Sequence, residues 1–199
     1  MAVGFFMGIR PSYVETARFL AEAHIHSINN TLAALGLPTY VEPAHPPDVY
    51  DGSWFGRSAL DHEGGRLLRE LGRFARERAD AKHLALLEQN PYRVAFVPVV
   101  FPEPLLTDFK LDIAGEPMRI AVGSLQPLMR EVLDVSKALN IPLQNGVLTD
   151  DTAMRIRESQ PLVAGDTPDP EHDQRVTWLV VHEGVRLAIS NNIALSLAG

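Results

Sequence analysis

Two periods of apolar and polar positions run along this chain. The longest apolar run, residues 93–101 (R-V-A-F-V-P-V-V-F), is mostly β-branched or aromatic. Proline-containing segments bound it on both sides, which predicts a strand buried on both faces. The rest of the chain is organised around that strand. Pro98 cannot donate to a ladder, so it marks a bulge, a strand end or an unpaired side. Residues 2–9 predict an opening strand, in which Gly4 and Gly8 permit close backbone approach. Shorter strands are expected over 39–42, 105–113, 119–122 and 193–198, the second as an outer strand. Residues 83–87 fit a strand or a helix equally well.

Helical spacing alternates with these runs. Ala17, Leu20, His24, Ile28, Leu32 and Leu35 form one stripe, opened by a capping box at Ser12-Tyr13-Val14-Glu15 and closed by Gly36. Residues 58–80 form a second helix, capped by Ser58 or Asp61, with Leu67, Leu71, Phe74 and Ala75 on its stripe. Gly64 and Gly65 fall in its first turns, where each costs roughly 1 kcal/mol relative to alanine. That cost predicts close packing there. Ser124 is expected to cap a third helix, Asn145-Gly146 to make a turn, and Thr149 to cap a short helix. In this last helix Asp150 and Asp151 sit at the end that favours acids. Residues 175–190 predict a final helix carrying Trp178, Val181, Val185 and Ala188. Strands separated by helices predict an α/β fold, one domain over residues 1–199, with a mixed central sheet and helices packed on it.

Composition narrows the function. The chain has 199 residues and no cysteine. That excludes a disulfide framework, cysteine catalysis and thiolate metal sites, and fits a reducing cytoplasm. The net charge of -7 disfavours binding to nucleic acid or to an anionic membrane, since both need a basic face. It permits a basic protein partner. No secretory signal and no membrane-length apolar run is visible.

Candidate chemistry is sparse. His62-Glu63-Gly64-Gly65-Arg66-Leu67 is echoed by His182-Glu183-Gly184-Val185-Arg186-Leu187. Within each copy His and Arg are four apart and share a helix face, while His and Glu diverge by about 100°. Two copies facing each other would build a pocket of His62, Glu63, Arg66, His182, Glu183 and Arg186. There a histidine would act as general base and an arginine would hold an anionic substrate. Chance among helix-friendly residues also produces such a short match. His-Glu-x-x-His, Gly-x-Ser-x-Gly and the glycine-rich phosphate loops are absent, so no metal, cofactor or nucleophile is expected.

Residues 43–58 form a long loop with Tyr50, Trp54 and Phe55, flanked by Asp48 and Asp51. Aromatic anchors with an acidic rim are an interface composition, although the same aromatics also serve to pin a loop to a core. The stretch Val97-Pro98-Val99, Phe101-Pro102-Glu103-Pro104-Leu105 and Val122-Gly123-Ser124 resembles a pattern in small bacterial proteins, some of them immunity proteins of toxin systems. The resemblance implies a cytosolic inhibitor that binds a cognate toxin, with no catalytic residues to carry over. The expectation is therefore a protein-binding module with a toxin partner. The alternative is a small-molecule enzyme using the His-Glu-Arg pocket.

Overall fold

The computed structural model describes residues 4–13, 15–44, 64–89, 94–109, 119–158 and 171–198. Among them are strands β1 (Gly4–Met7), β2 (Val94–Val97), β3 (Leu105–Thr107), β4 (Ile120–Ser124) and β5 (Leu195–Ala198). The helices are α1 (Arg18–Ala34), α2 (Gly64–Ala79), α3 (Leu86–Gln89), α4 (Leu125–Ala138), α5 (Asp150–Glu158) and α6 (His172–Ser190). The sheet order is β1-β5-β2-β4-β3, with β2 and β4 parallel and the other pairs antiparallel. The fold is α/β with a mixed sheet, as expected.

β2 lies at the centre of the sheet and is buried at every position. Its alternation explains the unbroken apolar run. Val94 and Phe96 face one core, shared with α2, α4 and α6, while Ala95 and Val97 face the other, shared with α1. Pro98 ends the strand. Phe96 pairs with Gly123 of β4, and a side chain on Gly123 would overlap the Phe96 ring. The sheet therefore requires glycine there, and the chain turns straight from it into α4.

Several local expectations are corrected. Ser12 does not cap α1: its hydroxyl donates to the Ile9 carbonyl at 2.6 Å, closing a 3-10 turn, and α1 begins six residues later. Residues 39–42 form no strand, because the Asn29 side chain meets both backbone groups of Tyr40, at 2.7 and 2.9 Å. Those bonds replace a ladder partner. α6 starts at His172 rather than 175, and from Thr177 to Val185 every residue is buried. It packs against α2, α4 and α5 as well as the sheet, so its stripe widens to the whole circumference. Residues 83–87 resolve into a turn and the start of α3. Glu131 of α4 pins that turn by accepting the backbone N–H groups of Lys82, His83 and Leu84 at 2.7–3.1 Å. The proposed caps Ser58 and Asp61 lie outside the described residues.

Candidate functional site

The site grows from the turn between α4 and α5. Asn145 and Gly146 both have positive φ, 53° and 79°, and Gln144 bridges to Val147. Asparagine and glycine are the residues that reach this region at least cost. The turn sends the chain into Thr149, whose hydroxyl accepts the Thr152 N–H at 3.3 Å and caps α5. Asp150 and Asp151 occupy the first turn of α5, Arg155 and Arg157 its last, as the helix dipole favours.

Between this turn, α4 and α6 lies a cavity of about 480 Å³. Met129 and Leu133 of α4, with Val147 and Leu148, give it apolar walls. His182, Glu183 and Arg186 of α6, with Asp150, supply its polar groups. Glu183 is buried, at 5% exposure. Burial alone would raise its pKa, but hydrogen bonds from His182 and Arg186 outweigh that and hold it below the ordinary carboxylate value. Arg186 reaches it at 3.0–3.3 Å and keeps half its side chain exposed. The guanidinium is in turn raised, chiefly by the hydrogen bond to Glu183. His182 Nδ1 lies 3.2 Å from Glu183 Oε1. An ionised carboxylate only accepts, so Nδ1 carries the proton. The ring stacks on Trp178 at 4.9 Å, and the Trp178 indole donates to the Val132 carbonyl at 2.8 Å.

The sequence echo is thus half visible. His182, Glu183 and Arg186 come together as a buried polar cluster. Arg66 lies on α2, pairs with Glu70 at 2.7 Å, and is not part of the cavity wall. His62 and Glu63 lie outside the described residues. So do Asp48, Tyr50, Asp51, Trp54 and Phe55, the candidate partner-binding set. Among the described residues no three His, Asp or Glu side chains are placed to hold a metal.

Other histidines are occupied structurally. His83 accepts the Ser124 N–H at Nδ1 (3.0 Å) and donates from Nε2 to the Pro102 carbonyl (3.2 Å). Burial, the largest influence, lowers its pKa. His24 bonds Tyr13 at 3.1 Å, and burial pushes its pKa down to about 4.

Charge is distributed unevenly. Residues 146–173 carry seven Asp or Glu against two Arg, and residues 42–63 carry five against one. The remainder has thirteen acids and fifteen bases, so these two segments hold the whole negative excess. Among the described residues of the first segment, Asp151, Glu158 and Asp173 are exposed and make no ion pair. Elsewhere most carboxylates are taken: Glu22 by Arg10, Glu70 by Arg66, Glu88 by Arg76, Glu103 by Lys82 and Asp134 by Lys137. Sequence reasoning used only the total charge. A running charge count would have found this asymmetry.

Fold and charge together define an α/β protein with a buried central sheet and an excess of acids in the segment that contains α5. The chain belongs to the family described as "Putative DNA-mimic protein", whose model matches residues 67–197. No curated protein and no solved structure matches the chain.

The family overturns three expectations. An immunity-type toxin inhibitor is not what it describes, and the small-molecule enzyme gains no support from it. A cognate toxin is likewise replaced as partner. Setting nucleic acid aside was the third error: the acidic charge that argues against binding DNA is the charge needed to imitate it. No helix among the described residues is long and apolar enough to cross a membrane.

Proposed function

We propose that this protein occupies the DNA-binding surface of a DNA-binding protein, presenting carboxylates where phosphates would lie. The family assignment supports this reading, and the observation that carries it is the acidic flank around α5. Phosphate contacts dominate protein–DNA affinity through Lys and Arg, which release condensed counterions on binding. A fixed array of exposed carboxylates meets the same basic surface. Asp150 and Glu158 are eight residues apart, so about 12 Å of helix axis separates them. That spacing spreads negative charge along a helix instead of concentrating it at one point. Such a role places the protein in the cytoplasm, beside its partner.

The test is competition. The full chain is immobilised, and proteins captured from the source cell are challenged with a short DNA duplex and with rising salt. A partner that binds DNA, is displaced by the duplex and leaves as salt rises is the expected result. A captured partner that holds chain and duplex together, or binding indifferent to salt, would overturn the reading.

A further inference from the structure

We infer that the exposed arginine face of α2 receives the acidic face of α5 from a second copy of this chain. Self-association then covers the surface that, on the reading above, meets the DNA-binding partner. Arg69 and Arg73 are exposed and make no ion pair among the described residues. Arg66 and Arg76 stand three residues to either side of them, also exposed, so four guanidinium groups line one face of the helix. On α5, Asp151 and Glu158 are exposed and likewise make no ion pair among the described residues. Both helices pack against α6. Their unmatched charges do not meet within one copy, so a meeting takes two.

Charge and spacing select the occupant. Arg66 and Arg73 are seven residues apart, as are Arg69 and Arg76, and so are Asp151 and Glu158. Seven residues make nearly two helical turns, so each pair shares a face with about 10 Å between its members. Met154, 43% exposed, lies between the two acids on that face and can pack on the arginine stems. The signs also answer where they alternate. Glu70 and Glu77 interrupt the arginine row, and Arg155 of α5 is exposed four residues after Asp151. A nucleic acid backbone offers phosphates alone and would meet Glu70, Glu77 and Glu88 with no cation. Two chains of charge -7 repel at long range. At physiological salt that repulsion is screened beyond about 8 Å, and the local match decides.

Sedimentation equilibrium of the full chain at physiological salt tests the contact. The average mass should rise with concentration. Two double variants, both at exposed positions, break the contact from either side: Arg69→Glu with Arg73→Glu, and Asp151→Lys with Glu158→Lys. Each alone should associate about tenfold more weakly than the unsubstituted chain, or weaker still. Mixed in equal amounts they should associate again, because each then meets opposite charge on both of its faces. A monomer mass at every concentration, association unchanged by either double variant, or a mixture that stays monomeric would each overturn the contact. So would a short DNA duplex that binds the unsubstituted chain but not the Arg69→Glu, Arg73→Glu variant, since nucleic acid would then be the occupant of α2. No partner protein is present in these measurements, so their failure leaves displacement of the partner by DNA standing. Self-association without such displacement would leave the contact without the partner it shields.

Discussion

Helices α2 and α5 both carry many charges, yet they do opposite work. α2 has five arginines and two glutamates, and both glutamates and two of the arginines, Arg66 and Arg76, are tied into ion pairs within the protein. Arg66 holds Glu70 along the helix, and Arg76 crosses to Glu88 of α3 at 2.7 Å. Its inner face is equally committed. Leu68, Leu71 and Ala75 are fully buried, and Gly72 lies so close to α3 that an added Cβ would stand 2.5 Å from the Glu88 nitrogen. α5 buries only Thr152, Ala153 and Ile156. Asp151, Met154 and Glu158 face outward, and among the described residues neither acid makes an ion pair. Charge that is matched locally builds structure. Charge that is left unmatched on a firmly anchored helix is available to something else.

The largest expected effect falls on α5. The triple variant Asp150→Asn, Asp151→Asn, Glu158→Gln should weaken the partner's binding about a hundredfold, with the melting temperature nearly unchanged. Neutralising Arg66, Arg69 and Arg73 on α2 should leave that affinity unchanged or slightly tighter. Calorimetric titration of both variants checks the pair. Equal losses from the two helices would erase the distinction between them.

Next in size is Gly72→Ala. Helix propensity alone predicts about 1 kcal/mol of added stability. Contact with the α3 backbone, which cannot swing aside as a side chain would, predicts a loss of about 2 kcal/mol through overpacking. Urea unfolding distinguishes the two by sign. Met154→Ala on α5 should move stability by less than about 0.5 kcal/mol in the same assay.

The smallest effect is a shift with pH. Glu183, at the base of the cavity beside α5, has a folded pKa below its ordinary value of 4.5. The stability it contributes is therefore complete above that value and disappears as pH falls through the folded pKa. Glu183→Gln should lower stability at neutral pH and flatten the acid limb of the stability curve. Glu88 on the α2 side is lowered as well, first by its hydrogen bond to Arg76. Its pair with Arg76 lies at the surface, where water screens it, so Glu88→Gln should leave the acid limb nearly unchanged. An identical response in both variants would show that burial beside α5 makes no difference.

Features decided by short-range geometry were readable before the fold was known. The two-faced burial of β2, the Asn145-Gly146 turn and the Thr149 cap each depend on residues within a few positions of one another. Ser12 failed as a cap because Ile9, three residues back, offered its hydroxyl a carbonyl at 2.6 Å. Gly64 and Gly65 are buried, in keeping with the close packing their cost implied, but Gly72 went unremarked, because nothing local tells which glycine will meet α3. The same holds for the cavity. His182, Glu183 and Arg186 were recognisable as a cluster on one helix. Their neighbours, Met129, Leu133 and the turn before α5, are brought to them only by tertiary packing.

The stacking of Trp178 on His182 has an optical consequence. An indole ring in contact with an imidazole is a fluorophore beside a quencher, and this imidazole also forms part of the cavity wall. The chain has two tryptophans, Trp54 and Trp178. With Trp54 replaced by phenylalanine, all remaining indole emission would come from a single ring whose brightness follows whatever engages the imidazole. The protein thus carries its own light gauge for the cavity, readable in the isolated chain without any attached dye.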